Sequence, residues 1–251
     1  MKKRTKIILW IIAIVVIIAA FFVKKMASDI QQENRLIAET NGVVDLLSEF
    51  SSEDSVKDNP KTAELEAKLQ TTVSTGDYAV VEKTVKQYVT DFVNAVKEVE
   101  TVAGDESLAK VLEPSNIKKD GPEFKATLTT LNDAITKLDI LYTKFSNCFT
   151  DEDLNAYIKD KNLDEYYVNL YKKIMIDDES AASFAKDKDE LLKSLEQFRT
   201  LVKQEKEVIE FLKKNKGKWQ VSGDTLTFTS SSVLSQYNSL IQKITKTAEG
   251  K

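Results

Sequence analysis

The sequence predicts an all-α protein: an N-terminal transmembrane helix followed by an extracytoplasmic antiparallel helical bundle with one C-terminal β-hairpin. Three observations predict it. Seventeen consecutive apolar residues, Ile7 to Val23, stand between Lys2, Lys3, Arg4 and Lys6 on one side and Lys24 and Lys25 on the other. Beyond them, apolar side chains recur at alternating three- and four-residue spacing over long stretches, the signature of helices with one continuous seam. Near the C-terminus, a Gly-Asp pair is flanked by residues in strand-like alternation.

At about 1.5 Å rise per residue, the apolar run spans roughly 26 Å, slightly less than a ~30 Å hydrocarbon core. Ile7, Trp10 and Val23 lie in that span, and snorkelling of Lys6 and Lys24 supplies the missing length. Four cations precede the run and two follow it, which places residues 1–6 in the cytoplasm, 7–23 in the cell membrane as a single-pass anchor, and the rest outside. The competing reading is a cleaved secretory signal, whose apolar region is normally shorter and ends in a small-x-small site. The nearest such site, Ile18-Ala19-Ala20, is followed by bulky Phe21 and Phe22, and no Cys near the end of the run offers a lipoprotein cleavage. Both readings export the domain.

Residues 24–50 are expected to continue outward as a stalk helix, with Ile30, Ile37, Val44 and Leu47 repeating along it. Residues 51–60, SSEDSVKDNP, are polar and end in Asn-Pro, which predicts a hinge loop. The remaining 61–251 form the helical extracytoplasmic domain. A short helix is expected over Thr62–Val73, then a turn at Ser74-Thr75-Gly76-Asp77. The first seam runs Tyr78, Val81, Val85, Tyr88, Phe92, Ala95, Val99, Val102. A break follows from Gly104 to Pro122, and a second seam runs Phe124, Leu128, Leu131, Ile135, Leu138, Tyr142, Phe145. Thr150 reads as the N-cap of a Tyr-rich helical segment, with Asp151, Glu152 and Asp153 favoured in its first turn. The stretch TDEDLNAYIKD lacks the spacing and central glycine of a calcium loop. A third long helix is expected over Ser180–Lys214, closed by Gly217, and a fourth over Ser231 to about Lys246.

Between those two helices, a two-residue turn at Gly223-Asp224 pairs Val221 with Leu226 and Trp219 with Phe228, making a hairpin over 218–229. All four apolar side chains then share one face. An isolated hairpin is marginal in water, so Trp219 and Phe228 either pack on the helices or recruit a partner. The run Gly217-x-Trp219-x-Val221, Leu226-x-Phe228-x-Ser230, Tyr237-Asn238-x-Leu240-Ile241 resembles the C-terminal stretch of YiaF-like bacterial envelope proteins. Over about the last 35 residues, that resemblance implies a strand pair preceding a helix, and a place in the cell envelope. The family has no assigned activity. Its members are lipoproteins, whereas this chain has no lipidation Cys.

Composition narrows the function classes. The chain holds 36 Lys+Arg and 40 Asp+Glu; removing the six cations of residues 1–25 leaves 30 against 40, near −10 for the exported part. Such a surface is repelled by nucleic acid and suits cationic partners. There are no histidines, which removes His-based nucleophilic sites and His-ligated metals. The lone Cys148 forms no internal disulfide and reads as a buried small side chain, with an intermolecular disulfide or reactive thiol as the alternatives. No catalytic, cofactor-binding or metal-binding set is expected.

The function expected is therefore a membrane-anchored binding or scaffold protein of the bacterial cell envelope, without catalysis. Its partners would be the bilayer and an envelope protein or wall polymer, with self-association through the helical seams also open. The alternatives are an accessory ectodomain of a signalling or transport complex, and a carboxylate-based enzyme acting on an envelope glycan. Among the tyrosines, Tyr157, Tyr167, Leu170 and Ile174 line up as a buried stripe; Tyr166 falls off it and is the expected exposed contact, beside Trp219 and Phe228.

Overall fold

A computed structural model describes residues 31–49, 56, 59–175 and 181–249, with Ser48 and 181–184 as backbone only. The expected cytoplasmic tail and anchor, with Lys6, Ile7, Trp10, Val23 and Lys24, lie outside the described residues. Among the described residues no helix is long and apolar enough to cross a membrane. The fold is mostly helical with one small antiparallel sheet near the C-terminus. The helices are α1 (Gln31–Ser48), α2 (Lys61–Gln70), α3 (Gly76–Ala103), α4 (Glu106–Ala109), α5 (Pro114–Asp120), α6 (Lys125–Asn147), α7 (Asp151–Ile158), α8 (Glu165–Met175), α9 (Ala181–Lys214) and α10 (Ser231–Ala248). Strands β1 (Trp219–Ser222) and β2 (Thr225–Phe228) precede α10. The described residues divide into two compact units, one of 31–100 and 143–192, the other of 101–142 and 193–249.

In the first unit, the expected seam of α3 is buried from Val81 to Val99, with Tyr78 half-buried. A second stripe, Glu82, Lys86, Val89, Val93, Val96 and Glu100, is buried beside it, so α3 presents two adjacent inward faces. The segment expected as a stalk is a core helix over Gln31–Ser48. Leu36, Val43 and Leu46 widen the repeat of Ile37, Val44 and Leu47 into a full amphipathic face, and α1 packs against α2. Of the expected hinge, Val56, Asn59 and Pro60 are described. Val56 is buried, its amide donates to Glu100 Oε1 at 2.7 Å and its carbonyl accepts from Thr62 Oγ1, so the chain is held at that point.

An aromatic cluster fills the rest of this core. Phe92 meets Phe145 edge-on at 5.5 Å, and Tyr88 lies 4.9 Å from both Phe149 and Tyr157. Thr150 caps α7 as expected, accepting from the Asp153 amide at 3.2 Å. Phe149, just ahead of the cap, sits at φ 60°, a left-handed conformation uncommon for a bulky residue. Its amide donates to the Tyr88 hydroxyl at 2.8 Å, and its buried ring offsets the strain.

In the second unit, Leu131 and Leu138 of α6 and Leu195, Phe198, Val202, Ile209 and Leu212 of α9 are buried. Gln197 and Gln204 donate to Thr247 (2.6 and 2.9 Å), and Lys243 pairs with Glu207 at 2.8 Å, so α10 lies antiparallel along α9. The hairpin has the expected register, Trp219 opposite Phe228 and Val221 opposite Leu226. Its turn places Gly223 at φ 59°, with Asp224 outside the positive-φ region, the sign pattern of a II′ turn. The stretch expected as a break between Gly104 and Pro122 instead holds α4 and α5. Asp105 caps α4 through the amides of Ser107 and Leu108, and Pro114 occupies the first helical position of α5, where its missing N–H costs nothing.

Candidate functional site

Tyr166, the expected exposed contact, is 48% exposed at the start of α8. It belongs to a cluster built from three helix starts in the first unit: Glu33 on α1, Tyr78 on α3, and Tyr166 with Tyr167 on α8. The Tyr166 hydroxyl donates to Glu33 and lies 3.5 Å from the Tyr78 hydroxyl. The Tyr167 ring stands edge-on to both other rings, 5.1 Å from each centroid. Edge-to-face contacts of this kind fix ring orientation as well as burying area. The Tyr166 hydroxyl is neutral and donating at physiological pH, and the hydrogen bond to Glu33, reinforced by Tyr78, raises its pKa above the ordinary tyrosine value. Asp77, Asp164 and Glu165 are exposed in the same helix starts. The cluster therefore offers a partly exposed, pre-oriented aromatic surface with an acidic rim, suited to packing and cation–π contact.

The two hairpin residues are placed differently. Trp219 donates from Nε1 to the Leu212 carbonyl at 2.7 Å, and its ring lies 5.7 Å from that of Phe124. Phe228 packs on Tyr237 at 4.9 Å. Both are half-buried and join the hairpin to its own unit. Of the expected Tyr stripe, Leu170 and Ile174 are buried while Tyr157 and Tyr167 are half-buried; the neighbouring Tyr171 is wholly buried. Cys148 is buried, its thiol donates to the Phe145 carbonyl at 3.0 Å, and burial pushes its pKa up to about 12.

The second stripe of α3 carries a charged cluster that the seam pattern does not announce. The Lys86 ammonium donates to Glu39 at 2.7 Å, Thr71 O at 2.8 Å and Glu82 at 2.9 Å, which uses all three of its protons. Glu82 in turn accepts from the amides of Val73 and Ser74 (3.0 and 2.8 Å), and Lys68 reaches Glu39 at 2.9 Å. Burial pulls both carboxyls up, but the bonds to Lys86, with Lys68 at Glu39 and the amides at Glu82, hold both below the usual carboxylate value. The cluster ties the 71–75 loop to α1 and α3; its groups satisfy one another. Among the described residues no group of acids or Cys is arranged to hold a metal ion. The chain matches no known protein family, no curated protein and no solved structure.

Proposed function

We propose that the protein is a membrane-anchored, extracytoplasmic binding or scaffold module of a bacterial envelope, acting without catalysis and engaging a basic segment of an envelope protein through the Tyr166 cluster. The observation that carries the contact is Tyr166 itself: a large side chain 48% exposed, yet oriented by Glu33, Tyr78 and Tyr167. A ring fixed before binding loses little rotamer freedom when a partner covers it. The acidic rim of Asp77, Asp164 and Glu165, in an exported part near −10 by count, favours Lys- or Arg-bearing partners. The anchor rests on the apolar run of residues 7–23 and its flanking cations. The resemblance of the C-terminal stretch to YiaF-like envelope proteins points to the same compartment.

The test is site-specific photocrosslinking in cells. A benzophenone amino acid at position 166 should give a discrete adduct with another envelope protein, while the same group at exposed Ser235 on α10 gives none. Absence of any adduct at position 166, with the protein present in the membrane fraction, contradicts the proposal.

A further inference from the structure

A groove of about 460 Å³ opens in the second unit beside α4, α5 and the start of α6. Its lining is unusual for a ligand pocket in being dominated by short polar side chains rather than aromatic and aliphatic ones. Asn116 is its fixed point. Both amide protons are committed, one to the Val111 carbonyl and one to Thr127 Oγ1, each at 3.1 Å. With its nitrogen held from two sides, Oδ1 is left as a pre-oriented acceptor. Thr130 adds a hydroxyl that both donates and accepts, and Ser115 adds one whose proton reaches Glu113 only at a long 3.5 Å.

Charge at the groove is unevenly committed. Asp120 accepts from the amides of Ala126 (3.3 Å) and Thr127 (2.8 Å) at the start of α6. Its pKa is held low: burial opposes ionisation, but those amides and the charge of Lys119 outweigh it. That carboxylate is spent on closing the helix end. Lys110 is paired with Glu106 at 2.8 Å, both exposed, and such pairs exchange partners at little cost. The exposed Lys119 ammonium makes no hydrogen bond among the described residues.

We infer that this groove binds a polyhydroxylated anion, a sugar or polyol unit carrying a carboxylate or phosphate. Lys119, with Lys110 second, takes the anionic group, while Asn116 Oδ1, Ser115 and Thr130 exchange hydrogen bonds with hydroxyls. A bare anion leaves the Asn116 acceptor facing like charge, and a neutral sugar leaves Lys119 unused; the combined ligand satisfies both. Without an aromatic platform the affinity of a single unit is millimolar, as suits one repeat of a polymer bound many times over. This deepens the reading of the chain as a binding module by naming a ligand class, and rests on it only to that extent.

The experiment is saturation-transfer NMR on the full chain in detergent with four probes: glucuronate, glucose 6-phosphate, glucose and inorganic phosphate. Transfer to the ring protons of both anionic sugars is expected, with glucose far weaker. Inorganic phosphate should displace the sugars only at a large excess. Lys119→Gln, an exposed substitution that leaves the fold intact by circular dichroism, should weaken binding about tenfold, the worth of one charge-assisted hydrogen bond. Three outcomes each overturn the inference: no transfer to either anionic sugar, equal transfer in Lys119→Gln combined with Lys110→Gln, or displacement by stoichiometric phosphate. A groove that fails while position 166 still crosslinks to an envelope protein leaves the proposed function standing and sinks this inference alone.

Discussion

Replacing Lys86 by Met removes the ammonium that joins three partners while keeping the length and apolar stem of the side chain. The Lys86 side chain is 4% exposed and that of Glu82 1%, so solvent cannot take over the lost bonds. Breaking a buried ion pair from one side costs about 3–5 kcal/mol, because the remaining charge is left uncompensated. Here the lower figure applies. Glu39 keeps Lys68 at 2.9 Å, and Glu82 keeps the amides of Val73 and Ser74. The expected loss is about 3 kcal/mol, which for a chain of this size lowers the melting temperature by about 6–12 °C. Thermal and urea unfolding of the full chain in detergent, followed by circular dichroism, measures it.

Adding Glu82→Gln to Lys86→Met removes the stranded charge and should recover about 1–2 kcal/mol, a coupling that independent sites do not show. Acid gives a second check. Glu39 and Glu82 have folded pKa values below the usual 4.5, so their contribution is present at neutral pH and lost as pH falls below that value toward the folded pKa. The difference between wild type and Lys86→Met should therefore shrink in acid. A variant within about 1 kcal/mol of wild type at neutral pH, or no recovery in the double variant, shows that Lys86 is not a buried bridge of this strength.

Other outcomes follow from the same structure. Tyr88, Tyr157 and Tyr171 have pKa values raised above 10.0, chiefly by burial, so their neutral forms favour the fold; stability holds below that pH and falls above it. Ionisation of these three should consequently come in a cooperative step with loss of helicity, and complete tyrosinate formation with the fold intact contradicts this. Cys148, with its pKa pushed up to about 12, should resist an aromatic disulfide reagent in the native state and react fully in denaturant. Gly121→Ala should destabilise by about 2 kcal/mol in urea unfolding, because its Cβ would lie 2.5 Å from the Ile117 carbonyl oxygen and 2.8 Å from the Trp219 ring.

The long helices were legible because each burial face is written directly as 3-4 spacing. Leu131, Leu138 and Phe145 on α6, and Val85, Phe92 and Val99 on α3, are buried where the seams place them. The hairpin was legible because Gly223-Asp224 leaves one register that gathers Trp219, Val221, Leu226 and Phe228 on one face. The short helices α4 and α5 were not, since Gly104 and Pro114 read equally as breakers and as the ends and beginnings of helices. The Lys86 cluster was missed for a related reason: Glu82 and Lys86 at i, i+4 look like any solvated pair. The signal that identifies them is positional, because Val89, Val93 and Val96 continue the same stripe at 3-4 spacing and mark it as a second buried face. Tyr166 was found by its displacement from the apolar stripe; Glu33 and Tyr78, far away in sequence, were brought to it only by the fold.

In the proposed topology, residues 7–23 anchor the chain and everything after them lies outside the cytoplasm. The most direct test is a topology measurement on the full chain with Cys148→Ala and Ser235→Cys, expressed in a bacterial host. After carbonate extraction the protein should stay with the membranes, and a membrane-impermeant maleimide should label position 235 in cells whose inner membrane is intact. Release by carbonate, or labelling only after the inner membrane is broken, rules out this topology.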